Sequence, residues 1–146
     1  MKTSETGLNL IKKHEGLRLK AYKCPAGVWT IGYGHTLGVR PWSIITEAQA
    51  EQKLREDVVV AERAVDQLYY LWVELKQCQY DALVSFIFNI GVNAFKQSAL
   101  RKKVVCNPAD PLIRLEFERW VYVDGKKLPG LITRRNDEAE LYFSAL

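Results

Sequence analysis

The sequence predicts an α+β fold: a small β-hairpin or three-stranded sheet in an N-terminal lobe, joined by a long helix to an all-helical C-terminal lobe. Three observations lead there. The hydrophobic period switches from helical to alternating after residue 16 and returns to helical at residue 46. Thr46-x-x-Gln49 is a capping box that opens one long apolar stripe of Ala50, Leu54, Val58, Ala61, Val65 and Leu68. The chain has 146 residues, 48% hydrophobic and 26% charged, without repeats or linker composition, which suits one domain with a real core. The expected layout is an N-terminal lobe over about residues 1–45, a connecting helix over about 46–70 and a helical lobe over about 71–146. A cleft between two such lobes is a natural ligand site.

Thr3 and Ser4 are capping residues for a first helix that carries Leu8 and Ile11, runs to Glu15 and stops at Gly16. Pro25-Ala26-Gly27 is a turn before the aromatic and β-branched run from Val28 to Gly34. A loop with Gly38 and Pro41 leads to the long helix, roughly five to six turns. Asp81 to Ile90 reads as a buried helix ended by Gly91. The apolar run from Ala82 to Phe95 is interrupted by Ser85, Asn89, Gly91 and Asn93 and is shorter than the roughly 20 residues of a membrane span. A basic helix follows around Ser98 to Val105, broken by Asn107-Pro108. Asp110-Pro111 reads as an N-cap and first residue of a helix with Ile113, Phe117 and Trp120 on one side. Asp124-Gly125 and Pro129-Gly130 are turns, and Ile132 to Leu146 is a helical tail.

Lys and Arg outnumber Asp and Glu by 21 to 17, a net charge of +4 that suits an anionic partner: nucleic acid, a membrane surface or a cell-wall polymer. No helix-turn-helix, zinc or RNP-type signature supports nucleic acid. Three cysteines without C-x-x-C spacing argue against a disulfide framework and a zinc ribbon. Two histidines with Cys24 match no zinc spacing, so neither metal nor cofactor is expected. The opening Met1-Lys2-Thr3-Ser4-Glu5 meets an acid at once and reaches Lys12 and Lys13 before an apolar block develops, unlike a signal peptide.

Two residues stand where chemistry is possible. Glu15 falls in the last turn of a helix, at the negative end of its dipole and beside an apolar face, and both effects disfavour its charged form. A general acid needs that property, although a solvated glutamate paired with Arg18 or Lys12 fits the same position. Strand alternation puts Trp29, Ile31 and Tyr33 on one face and Val28, Thr30, Gly32 and Gly34 on the other. On that second face the Thr30 hydroxyl has room to orient a water or a ligand, and β-propensity alone also explains it.

His14-Glu15-Gly16-Leu17-Arg18-Leu19-Lys20-Ala21-Tyr22 followed by Gly27-Val28-Trp29-Thr30-Ile31-Gly32-Tyr33-Gly34-His35-Thr36 resembles the phage-type lysozyme (endolysin) family. The resemblance continues through Gln79 to Gly91, Arg119-Trp120, Leu128-Pro129-Gly130-Leu131 and Arg134-Arg135, so it covers nearly the whole chain. It implies a lysozyme-like fold and hydrolysis of the β-1,4 bond between N-acetylmuramic acid and N-acetylglucosamine in peptidoglycan, through a Glu, Asp and Thr constellation. Glu15 matches the general acid and Thr30 the threonine. Cys24 stands where the family carries aspartate. Cys24 is then a base or charge stabiliser, a covalent nucleophile, or a bystander; a thiol with an ordinary pKa of about 8.5 is mostly neutral at pH 7.

The resemblance further implies that His35, Thr36, Phe88 and Asn89 meet the sugar. The partner is then the peptidoglycan glycan strand, with no nucleic acid and no stable membrane insertion, and the protein is a monomer. It accumulates in the host cytoplasm and reaches the wall once the membrane is permeabilised. A lytic transglycosylase on the same bond and a silent peptidoglycan-binding module are the alternatives. Arg134, Arg135, Arg101-Lys102-Lys103 and Lys126-Lys127 are basic clusters suited to acidic wall polymers or to bridging Glu15. Trp29, Trp42, Trp72 and Trp120 are candidates for sugar stacking or for the core.

Overall fold

The computed structural model describes residues 1–145. Its elements are α1 (Glu5–Glu15), β1 (Arg18–Lys23), β2 (Trp29–Gly32), α2 (Glu47–Asp66), α3 (Gln77–Ile90), α4 (Val92–Gln97), α5 (Ala99–Cys106), α6 (Ile113–Glu118), β3 (Tyr122–Val123), β4 (Lys126–Lys127) and α7 (Pro129–Phe143). Ser4 caps α1 by accepting from the Gly7 amide, and Gly16 ends it with a φ of 70° that a side chain would resist. Leu8 and Ile11 bury the inner face of α1 against α3 and α7. Burying each contributes roughly 1.5–3 kcal/mol.

Asp81, on α3, fastens the start of α1. It is buried, and it accepts from the Ser4 amide at 2.9 Å, from the Ser4 hydroxyl and from Gln77 Nε2 at 2.8 Å. A Cβ on Gly7 would stand 2.8 Å from the Asp81 side chain, so glycine is what lets the two helices approach this closely.

The sheet near the N-terminus has two strands, β1 antiparallel to β2, with a register irregularity between Arg18 and Tyr22. Isolated bridges from Lys20 to Ile44 and from Ile31 to His35 stand where a third strand would be. The two-faced alternation expected for β2 gives way to continuous burial, since Thr30, Ile31 and Gly32 are all buried. The reason is α2. A Cβ on Gly32 would lie 3.4 Å from Ala50 Cβ on the helix and from Ile45 Cδ1 just before it, so the helix and its lead-in fill the space above Gly32.

The capping box forms as predicted, with Thr46 Oγ1 accepting from the Gln49 amide at 3.1 Å and Gln49 Oε1 from the Thr46 amide at 2.9 Å. The helix it opens, α2, is 20 residues long. Helix α3 starts one turn earlier than Asp81, because Gln79 Oε1 reaches back to the Lys76 amide at 2.8 Å and supplies a start signal there. Helix α4 is an additional element between Gly91 and Ser98.

The expected helix start at Asp110-Pro111 is displaced to Ile113. The Asp110 carboxylate accepts from the Leu112 amide at 2.9 Å and closes a turn instead of capping a helix. The C-terminal region is also not all helical. Asp124 and Gly125 both take positive φ, 49° and 78°, as the two central residues of a tight hairpin do, and they join β3 to β4. Pro129 opens α7 rather than closing a turn, since the first helical position needs no amide hydrogen.

The core centres on Phe86, which meets Phe117 edge-on at 5.3 Å and Trp120 at 5.8 Å. Trp42 and Trp72 are exposed. No helix among the described residues is long and apolar enough to cross a membrane.

Two carboxylates give this fold a pH dependence. The Lys12 ammonium beside Glu51 holds its carboxyl below the usual range, with Arg55 adding to the pull. Burial pushes Asp137 up, but hydrogen bonds from Lys13 at 2.8 Å and His14 at 2.9 Å more than reverse this. A carboxyl lowered in the folded state contributes stability above its unfolded pKa and loses it as the pH falls through the folded value. Thermal unfolding between about pH 7 and about pH 3 should therefore show a falling Tm, and the fall should be smaller in Glu51→Gln/Asp137→Asn.

Candidate active site

Helix α1 delivers Glu15, its last residue, to a cleft of about 490 Å³. Gly34, Thr36, Asp57, Phe88 and Asn89 share the lining with it. The wall is thus drawn from the segment after β2, from the middle of α2 and from the C-terminal end of α3.

On one side of Glu15 the backbone comes close. Gly34 has a φ of 86°, and a Cβ placed on it would stand 3.3 Å from Glu15 Oε2. On the other side Arg134 Nη1 donates to Glu15 Oε1 at 2.7 Å. The carboxylate is held between a glycine that makes room and a guanidinium that anchors it.

That guanidinium is not the solvated cation its basic cluster suggests. Arg134 is 4% exposed, and it also donates from Nε to Glu138 Oε1 at 3.1 Å and from Nη2 to the Ser85 carbonyl at 3.2 Å. Neither Arg18 nor Lys12 pairs with Glu15: Arg18 stacks on the Tyr22 ring at 4.7 Å, and Lys12 pairs with Glu51. Both are near Glu15 in sequence, and both are engaged with other partners. The sequence identifies Arg134 as one of several basic residues able to bridge Glu15, and the fold selects it. Arg135, fully buried, donates to Asn89 Oδ1 and so supports the cleft wall from behind.

Cys24 and Thr30 form a second group, outside the lining of the cleft. Cys24 is half-buried in the turn after β1, where its amide donates to the Val28 carbonyl at 3.0 Å. Its thiol is held below the ordinary value by a hydrogen bond from the Val28 backbone; burial pushes the other way, and further hydrogen bonds from the Ala26 backbone and the Thr30 hydroxyl add to the lowering. Two cations nearby in sequence are engaged elsewhere, Lys23 over the Trp29 ring at 5.4 Å and Arg18 on Tyr22 at 4.7 Å. Thr30 is buried and donates to the Val28 carbonyl at 3.0 Å. A hydroxyl has one proton, so Thr30 serves either Val28 or the Cys24 sulfur at any moment.

His35 is buried with Nδ1 2.8 Å from Asp57 Oδ2 and Nε2 2.9 Å from the Leu37 carbonyl. Both partners accept, so both ring nitrogens are used within the protein. Thr36, Phe88 and Asn89 line the cleft directly. Asp57 and Glu138 are the residues the sequence reading missed. Each lies on a long helix with no local motif, and only burial or a distant partner separates it from an ordinary solvated acid.

With this geometry in place, comparison with known proteins is direct. Residues 12–138 match the pattern of the family described as phage lysozyme. The chain belongs to that family. It is similar to an endolysin of Acyrthosiphon pisum secondary endosymbiont phage 1, with 48% identity over 150 residues that cover 99% of this chain and 100% of that one. Among solved structures, the endolysin from Escherichia coli O157:H7 phage FAHEc1 superposes with a TM-score of 0.88 at 37% identity, covering 100% of this chain and 96% of that one. The muramidase domain of SpmX from Asticaccaulis excentricus gives a TM-score of 0.88 at 38% identity, with 97% of each chain covered. This phage lysozyme is a glycoside hydrolase of the muramidase class, and it lyses peptidoglycan.

The close approach at Gly34 gives a test of the site. In Gly34→Ala the left-handed backbone costs roughly 1–2 kcal/mol, and the new methyl displaces the Glu15 carboxylate. The carboxylate has to give way by only a few tenths of an ångström, so wall-lysis activity should fall by about threefold to tenfold while the variant stays folded by circular dichroism, less than the two orders of magnitude that a misplacement of about 1 Å can cost.

Proposed function

We propose that the lysozyme hydrolyses the β-1,4 bond between N-acetylmuramic acid and N-acetylglucosamine with Glu15 as general acid. Its position in the cleft, between Gly34 and the Arg134 guanidinium, carries the reading. Protonated Glu15 gives its proton to the glycosidic oxygen, the bond to the anomeric carbon breaks, and positive charge develops on the sugar ring. Water adds to that carbon and loses a proton, completing hydrolysis. General-acid participation of this kind contributes roughly 10²–10⁴-fold.

Cys24 takes the aspartate's task in this proposal. Hydrogen bonds that favour its thiolate suit it to supply negative charge to the developing cation and a base for the water, and Thr30 beside it orients that water once its hydroxyl turns from the Val28 carbonyl, both acting from outside the lining of the cleft. Thr36, Phe88 and Asn89 contact the sugar from the cleft lining, and His35 acts on the same wall through Leu37 and Asp57. We place the division between lobes on either side of α2, at about residues 45 and 70, and the active species is a monomer. The enzyme is made in the host cytoplasm and meets the wall after the membrane is permeabilised.

The experiment compares turbidity loss of purified peptidoglycan by the wild type, Glu15→Gln, Cys24→Ser and Cys24→Asp, with product masses from the wild-type digest. Expected are products one water heavier than the anhydro sugars of a transglycosylase, loss of at least about 100-fold in Glu15→Gln, a smaller loss in Cys24→Ser and activity kept in Cys24→Asp. Anhydro products would replace hydrolysis by intramolecular transfer. Full activity in Cys24→Ser would make the thiol a bystander.

A further inference from the structure

Glu138 is fully buried one helical turn beyond Arg134 on α7, where a carboxylate survives only if donors hold it. Its Oε1 accepts from Ser85 Oγ at 2.9 Å and from Arg134 Nε at 3.1 Å. Its Oε2 has no hydrogen-bond partner among the described residues, and Arg135 Nε stands 3.5 Å away. Both hydrogen bonds therefore fall on the oxygen turned toward Arg134. The Arg134 guanidinium lies between two carboxylates, Glu15 at Nη1 and Glu138 at Nε, while its third nitrogen is fixed to the Ser85 carbonyl.

This arrangement has a consequence for the acid. A cation committed to one carboxylate keeps that carboxylate ionised, and an ionised acid has no proton to give. A cation shared between two favours the charged form of each less strongly, and the second anion itself favours a proton on the first. Each of the three nitrogens of Arg134 has an acceptor, so turning the guanidinium away from its present orientation would break hydrogen bonds to Glu138 and Ser85 as well as to Glu15.

We infer that Glu138 is a positioning residue for Glu15: it locks the Arg134 guanidinium in place and divides its charge, so that Glu15 stays anchored yet remains able to carry the proton it delivers. This rests on the reading of Glu15 as the general acid. Burial holds the Glu138 carboxyl above the usual range, and Arg135, Arg134 and the Ser85 hydroxyl offset part of that rise by favouring its charged form. The other charged groups around this chain of contacts are Lys13 and His14 on α1, Arg135 and Asp137 on α7, and Asp57 on α2 across the cleft. Lys13 and His14 are taken up by Asp137 and Asp57 by His35, while Arg135 donates from Nη2 to Asn89 and keeps its Nε 3.5 Å from Glu138 Oε2, a second cation facing that carboxylate. From α3 come the neutral Ser85 and Asn89.

The test is the pH profile of kcat/KM on solubilised peptidoglycan for the wild type, Glu138→Gln, Glu138→Asp, Ser85→Ala and Glu15→Gln, with folding checked by circular dichroism. Glu138→Gln keeps an acceptor for Arg134 and Ser85 but removes the charge. Its high-pH limb should move to lower pH by about half a unit or more, which is roughly threefold less activity on that limb, with the activity below it little changed. Glu138→Asp, which keeps the charge, should hold the limb near the wild-type position. If Glu138→Gln does not fold, Ser85→Ala weakens the hold on Glu138 and should move the limb in the same direction by less. A limb that stays at the wild-type pH in the folded Glu138→Gln variant, or in Ser85→Ala where that variant fails to fold, overturns the inference. Activity retained in Glu15→Gln defeats the reading of the acid instead, so the two failures are told apart.

Discussion

A guanidinium cannot lose its proton in a protein, so Arg134, once buried, has to be surrounded by acceptors. The acceptors come from three helices: Glu15 at the end of α1, the Ser85 carbonyl in α3 and Glu138 on α7 itself. One cation thereby ties the first helix of the chain to the last across 119 residues of sequence. Such a buried cluster is poor evidence for stability, since desolvation offsets most of the attraction. Its effect is geometric, for only a narrow range of helix positions satisfies all three contacts at once.

The other anchors serve the same geometry. Asp81 holds the start of α1 onto α3, which carries Phe88 and Asn89 of the cleft wall, Gly7 makes the approach possible, and Arg134 of α7 holds the other end through Glu15. Opposite them, α2 packs on β2 and reaches His35 through Asp57, which sets the segment with Thr36 and Leu37 against the cleft. Glu15 belongs to the early sequence but is oriented by the late one. A carboxylate placed this way can be close to substrate groups from both sides, as acid catalysis of glycoside cleavage demands.

Signals confined to one or two turns of chain were legible. Ser4, Gly16, the Thr46 and Gln49 box and Gly91 each satisfy or release backbone groups within four residues, so their meaning is complete locally. Where the reading slipped, a nearby side chain changed the local accounting: Gln79 started α3 early, Asp110 closed a turn, and Pro129 opened a helix. The β2 face was misread because alternation describes a sheet with one solvated side, and α2 covers the other.

By itself the sequence determined both ends of α1, the start of α2 and the end of α3, the mixed architecture and the order and spacing of Glu15, Cys24 and Thr30, since these depend on neighbours along the chain. Tertiary structure decided which of several arginines and lysines meets Glu15 and that Glu138 lies behind it. Those outcomes depend on distance through space and on exclusion of water. Two charges that are ordinary and solvated in sequence become specific partners only when folding buries them together.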